Sequence, residues 1–328
     1  MDIRNFASLR DKAEGDYRAA AFPPARLALL HSGVTVAATL LVAVLNLLIQ
    51  GQMDAATGLG GLGSRTVLGT VQTLLHYALT IALPFWEFGF VFAVIGLARR
   101  QETRPAALTM GFRNFGPVLR YQLLNGLIYA GVIMVLMYPL LGILMVTPLS
   151  RGLLDTITSL VSSGVTDVEA IGADPQVLRA TLPLVAAMLG LLALVLVPLF
   201  YRLRMGSFAL AEDPRAGARA AIRNSLRLTR GNSFALFRVD LHFWWYYLGM
   251  MVAAVLCYGD TILSLLGVRL PLSGQAQYIL FYALGLGVQL LIQYAALARV
   301  KLTYAAAYDA LAAAPKPPAK VPAVRWEY

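Results

Sequence analysis

Glu212-Asp213-Pro214 opens a stretch that runs to Tyr247. Arginine stands at 215, 219, 223, 227 and 230. Gly231-Asn232 follows, and then Phe234-Ala235-Leu236-Phe237-Arg238-Val239-Asp240-Leu241-His242-Phe243-Trp244-Trp245-Tyr246-Tyr247. Asp213 suits an N-cap, Pro214 the first helical position and Gly231 the position after a helix end. The spacing predicts one helix over 214–230. Steps of four, four, four and three, at ~100° per residue, keep the arginines within about a third of the circumference. Ala218, Ala221, Ser225 and Leu228 form the opposite face. This is the pattern of a basic amphipathic helix, and a membrane-spanning segment begins directly after it.

Working outward, the 328 residues are 59% hydrophobic and 13% charged. Mean hydropathy is +0.67. A soluble chain usually carries about 25% charged residues, so the deficit points to lipid as the solvent. The fold class expected is an all-α polytopic membrane helix bundle of about six spans: 27–49, 67–97, 117–146, 181–203, 235–258 and 276–298. Residues 1–313 form this membrane domain, and the Pro/Ala/Lys-rich tail 314–328 is expected to be disordered. A short interfacial helix precedes the first span, with apolar or small residues at 6, 9, 13 and 17. A Gly-rich loop is expected from Gly51 to Ser64, a kink at Pro84, and a long loop over 147–180. No cleavable signal peptide is evident, and the first span reads as an uncleaved anchor.

The 27 Lys and Arg residues fix the orientation. The segments up to Arg26, from 98 to 120, from 202 to 238 and from Arg299 onward hold all of them except Arg65, Arg151, Arg179 and Arg269. Such a split predicts a multi-pass protein of the bacterial cytoplasmic (inner) membrane, with both termini and the arginine hairpin cytoplasmic. It also accounts for the net charge of +10 without nucleic acid. A weak internal repeat aligns Asn114, Arg120 and Leu123 with Asn232, Arg238 and Leu241.

The spans carry polar stripes. His31, Thr35, Thr39 and Asn46 share one quadrant of the first. Thr70, Thr73, Tyr77, Thr80 and Glu87 line the second, Gln122, Asn125 and Tyr129 the third, and Tyr278, Tyr282, Gln289 and Gln293 the sixth. Polar groups are costly against lipid, so inward orientation is expected. Interhelical hydrogen bonding and a substrate path both fit. Glu87 lies about three turns from Arg99. At membrane depth it costs ~2.5–3.5 kcal/mol unless paired or protonated. It reads as a proton or cation site, as the partner of a cationic substrate group, or as the partner of an arginine such as Arg202 or Arg204. Asp240 and His242 complete the candidate polar interior. Arg215, Arg219, Arg223, Arg227 and Arg230 are candidates for binding anionic lipid head groups or a protein partner. One cysteine, Cys257, excludes an internal disulfide, and the dispersed histidines offer no metal-ligand spacing. No nucleotide loop, zinc-protease or nucleophile-elbow motif occurs. No cofactor is expected.

Asn224-Ser225-Leu226-Arg227-Leu228-Thr229-Arg230-Gly231-Asn232, followed by Leu236-Phe237-Arg238-Val239-Asp240-Leu241, resembles the bacterial membrane family called domain of unknown function 975. Ser225, Gly231, Asn232, Phe237, Asp240, Leu241, Phe243 and Trp244 or Trp245 carry the match. Leu210 to Pro214, Gly111 to Gly116, Thr303 and Tyr308 are similar to other parts of the family pattern, and His242 departs from it. The resemblance implies a six-span fold and no activity. It extends distantly to the membrane domains of some glycerophosphodiester phosphodiesterases. The expectation is a non-enzymatic membrane protein with a transport or transporter-accessory role through a polar bundle interior. The alternative is a scaffold, partnered by lipid, protein or a second copy, acting through the basic helix.

Overall fold

A computed structural model describes residues 3, 5–55, 58–145, 148–162, 175–265, 268, 270–271 and 273–313, and every regular element among them is helical. Among these residues five helices are long and apolar enough to cross a membrane, and six if one bent pair counts as a single span. The protein is an integral polytopic membrane protein. Its packing divides into two units, Met1–Arg120 with Met205–Tyr328, and Tyr121–Arg204.

In the larger unit, α1 (Phe6–Ala19) is started by Asn5, whose side chain accepts from the Ser8 amide at 3.3 Å. It buries Leu9, Ala13 and Asp16 against α3 (Gly58–Ala98) and α13 (Gly274–Ala313), so it docks on protein. α2 (Pro24–Ala55) packs along the same two helices. The glycine-rich stretch expected as a loop is helical outside residues 56–57: α2 runs to Ala55 and α3 starts at Gly58. Helix satisfies every backbone group internally, which lipid surroundings demand even of glycine. Pro84 lies inside α3 without ending it.

α3 ends in a Schellman arrangement, with Arg100 N–H on the Leu97 carbonyl and Gln101 N–H on the Gly96 carbonyl. Arg100 takes the left-handed position (φ 55°) usually left to glycine, and its guanidinium reaches the buried Asp16 at 3.4 Å. The chain then folds back through a 3-10 turn, Pro105–Thr109, and α4 (Met110–Arg113). Two glycines allow this return. A Cβ at Gly89 would lie 1.8 Å from the Leu108 carbonyl oxygen, and one at Gly111 1.8 Å from that of Phe85.

α5 (Phe115–Met145) leads into the smaller unit, where α6 (Pro148–Ser162) packs on α7 (Pro175–Leu203). The long loop expected over 147–180 is therefore largely helical. Residues 163–174, with Asp167, Glu169 and Asp174, lie outside the described residues, as does the tail 314–328.

Back in the larger unit stand α8 (Gly206–Glu212) and the arginine stretch. This stretch is not one helix. Asp213 accepts from the amides of Arg215 and Ala216 and caps only a 3-10 turn, Pro214–Ala216. Gly217 (φ 81°) then breaks the path, and α9 runs Ala218–Leu228. Arg215 and Arg230 thus flank the helix rather than belong to it.

The expected fifth span is also broken. α10 (Ser233–His242) and α11 (Trp244–Cys257) meet at Phe243 with a bend of 69°. α12 (Gly259–Leu265) continues α11, and α13 follows. The repeat leaves a local trace. The aligned Asn114 and Asn232 each donate a side-chain amide to the carbonyl four residues back, at 2.9 and 3.4 Å. The copies then differ, since α5 is continuous where α10 turns.

α3 and α13 are each ~60 Å long, about twice a hydrocarbon core. Their surfaces change along that length. Val67, Leu74, Tyr77 and Ile81 on α3 are exposed, as are Ile279, Leu284 and Leu291 on α13. Phe85, Phe88, Phe90, Val91, Val94 and Leu97 are buried, and so is nearly every residue from Ala296 to Leu311 except Arg299, Lys301 and Asp309. Exposed apolar rows suit lipid, whereas the buried stretches are held by protein.

Candidate functional site

Lys301, Tyr304 and Tyr308 stand at i, i+3 and i+7 of α13, which places them within about 60° of one another on one helix face. Each donates to a carboxylate from a different element: Lys301 to Glu87 on α3, Tyr304 to Asp240 on α10, Tyr308 to Glu212 on α8. Sequence reading counts Lys301 only as a positive charge after Arg299, and it misses Tyr304.

Glu87 stands where α3 passes from exposed to buried. Its second carboxylate oxygen lies 3.0 Å from Nε2 of the buried His31. The His31 ring stacks on Phe90 at 4.5 Å and near Trp86 at 6.0 Å, while the Trp86 indole donates to the His31 carbonyl. The partners of Glu87 are therefore His31 and Lys301, in place of Arg202 or Arg204. His31 Nδ1 and the adjacent Ser32 hydroxyl are buried with no hydrogen-bond partner among the described residues.

Asp240 is buried at the end of α10 and accepts the hydroxyls of Tyr304 and of Tyr247, which lies beyond the bend. It ties both sides of the break to α13. His242 faces outward rather than into the interior. Its ring stacks on Phe6 of α1 at 3.7 Å, and its Nδ1 lies 2.6 Å from the Arg238 carbonyl oxygen.

The end of the unit away from the exposed rows carries an ion-pair network. Arg99 meets Glu212 at 2.6 Å and Asp309 at 3.6 Å, Lys12 meets Asp309 at 2.9 Å, and Arg299 meets Glu14 at 3.4 Å. Burial pulls the Arg99 guanidinium down, but the hydrogen bond and charge of Glu212 outweigh it and leave the pKa raised. The arginine face is different. Arg215, Arg219, Arg223, Arg227 and Arg230 are all exposed, and none forms an ion pair among the described residues. Arg227 donates to Asn224 at 2.7 Å. Ala218, Ala221, Ile222 and Ser225 bury the opposite side of α9. A cleft of about 430 Å³ opens between α8 and α9, lined by Glu212, Asp213, Arg223, Asn224 and Arg227 with four alanines.

A family model matches residues 30–307 of this chain. The chain belongs to the family described as Protein of unknown function (DUF975). No curated protein and no solved structure matches it. The DUF975 match takes in His31, Glu87, Asp240, Lys301, Tyr304 and the whole arginine face, and it stops one residue before Tyr308.

Among the described residues, Asn46 in the larger unit and Asn125 in the smaller each have a buried side-chain oxygen with no hydrogen-bond partner. Gln289 and Gln293 are partly exposed on α13. The threonine stripes are satisfied within their own helices. Thr35 and Thr39 donate to the carbonyls of His31 and Thr35, and Thr70, Thr73 and Thr80 to those of Thr66, Gly69 and His76. A hydroxyl bonded to the carbonyl four residues back has no need to face inward, and the last three face out.

Proposed function

We propose that this protein is a non-enzymatic scaffold of the bacterial cytoplasmic membrane, whose bundle presents the arginine face to anionic phospholipid head groups. The observation that carries this reading is a contrast among neighbouring cations. Arg99, Arg100, Arg299, Lys12 and Lys301 are all paired with carboxylates, while the five arginines around α9 are exposed and have none among the described residues. Positive-inside reasoning puts that hairpin on the cytoplasmic side, beside the leaflet rich in anionic lipid. A basic side chain near such a surface contributes ~1 kcal/mol, so five reach several kcal/mol before salt screening. A transport path has less support, because Glu87 already has two partners and the threonine hydroxyls close on their own helices.

The test is native mass spectrometry of the full chain released in mild detergent. Anionic phospholipid should be retained by the wild type and by Glu87→Gln, and lost from the triple variant Arg219→Gln, Arg223→Gln, Arg227→Gln. A small molecule lost only in Glu87→Gln would overturn the scaffold reading in favour of a binding or transport cavity.

A further inference from the structure

α10 has no place in a straight span. α11 and α12 run antiparallel along α13, fixed by three close approaches: Gly249 at Ile292, Gly285 at Ala253 and Cys257, and Gly259 at Phe281. Trp244 to Leu265 amounts to ~33 Å of helix, enough to cross a hydrocarbon core without α10. α10 turns away from that line by 69°. Beside this turn Asp240 accepts the hydroxyl of Tyr304, which lies within the buried stretch of α13 that begins at Ala296.

The faces of α10 are sorted. Leu236, Val239 and Asp240 are buried. Phe234 is 71% exposed and Leu241 56%, and at ~100° per residue the two lie about 20° apart on the opposite side. Trp244, 60% exposed, extends this row past the bend. Arg238 lies to one side of it, about 40° round from Phe234, and Arg230 stands exposed just before the helix. An apolar row with a guanidinium beside it, on a helix steeply inclined to a span, fits the boundary between head groups and acyl chains. Water offers nothing to Phe234, and the deep core would strand Arg238.

We infer that α10 is an interfacial helix lying in the plane of the leaflet, with Phe234 and Leu241 at the acyl boundary and Arg230 and Arg238 on lipid phosphates. The occupant of this face is the bilayer that holds the protein. The inference rests on membrane insertion; it shares Arg230 with the arginine face, but its test reads positions 234 and 241 and does not depend on the arginines of α9.

Depth measurement by spin labelling tests it. Single nitroxides are placed by Phe234→Cys or Leu241→Cys on a full-length Cys257→Ser background in phosphatidylethanolamine–phosphatidylglycerol vesicles. Oxygen and a water-soluble nickel chelate compete as relaxing agents. Both labels should read one shallow depth below the phosphates. A label from Leu248→Cys on α11 should read deeper and confirm that the bundle is folded. A difference of ~10 Å between the 234 and 241 labels, the rise of seven helical residues, would mean that α10 continues the span and would overturn the inference. Strong nickel access at both sites would overturn it too, by placing the face in water or against a soluble partner.

Discussion

Lys301 and Glu87 stand 214 positions apart in the chain and meet as an ion pair between α13 and α3. His31 adds α2 from the other side at 3.0 Å. One carboxylate thereby joins three helices. Lys301→Met leaves that carboxylate with an imidazole alone, at an expected cost of about 1–3 kcal/mol. The figure falls below the ~3–5 kcal/mol of a fully buried pair because Glu87 is only half-buried. Adding Glu87→Gln should restore part of the loss, since no charge is then stranded. Thermal unfolding of the two single variants, the double variant and the wild type in detergent measures the coupling. Strictly additive losses would show that the pair contributes nothing.

Tyr304 controls the bend rather than the span. Tyr304→Phe keeps the ring and removes one hydroxyl donated to Asp240, a hydrogen bond to a charged group of ~1.5–3 kcal/mol. Amide hydrogen exchange should quicken across 233–247, while amides of 276–292 keep their protection. Unchanged exchange over 233–247 would assign the bend to other contacts.

Gly89 and Gly111 are expected to be the least replaceable glycines in the first hairpin. At each, a Cβ would sit 1.8 Å from a backbone carbonyl oxygen, and backbone does not yield as a side chain does. Gly89→Ala or Gly111→Ala should cost more than the ~1–3 kcal/mol of ordinary overpacking and lower the yield of folded protein. Gly116→Ala is the control. Its Cβ meets nothing within 4 Å among the described residues and alanine favours helix, so its melting temperature should hold or rise.

The apolar runs were legible because each crossing needs about twenty residues of one character, whatever it packs against. The chemistry within them was less so. Glu87 stood out as a costly carboxylate, but its partners came from the far end of the chain, and nothing local distinguishes Lys301 from Arg202. The turn at Phe243 carries neither proline nor glycine. Beside it Asp240 is held by a tyrosine 64 positions away. The break at Gly217, before the arginine helix, could have been read locally. A glycine four residues past the Asp213 cap announces a backbone that only glycine adopts readily, and the even spacing of the arginines obscured it. Spacing locates a face, and tertiary partners decide what that face does.

Arg99 gives a pH test with a defined sign. Its folded pKa is raised by Glu212 despite the burial that opposes it. A group raised in this way contributes stability that is fully present below its unfolded pKa and is lost only as pH climbs through the folded one. Both values lie far above neutrality, so the contribution should stay level from about pH 6 to about pH 9. Arg99→Gln should therefore cost the same at both ends of that window. The loss should be about 0.5–1 kcal/mol, modest because the pair is a third open to solvent. Denaturant unfolding in detergent at the two pH values checks it. A cost that shrank toward pH 9 would mean that a group titrating in that window, and not the guanidinium, holds Glu212 and Asp309 in place.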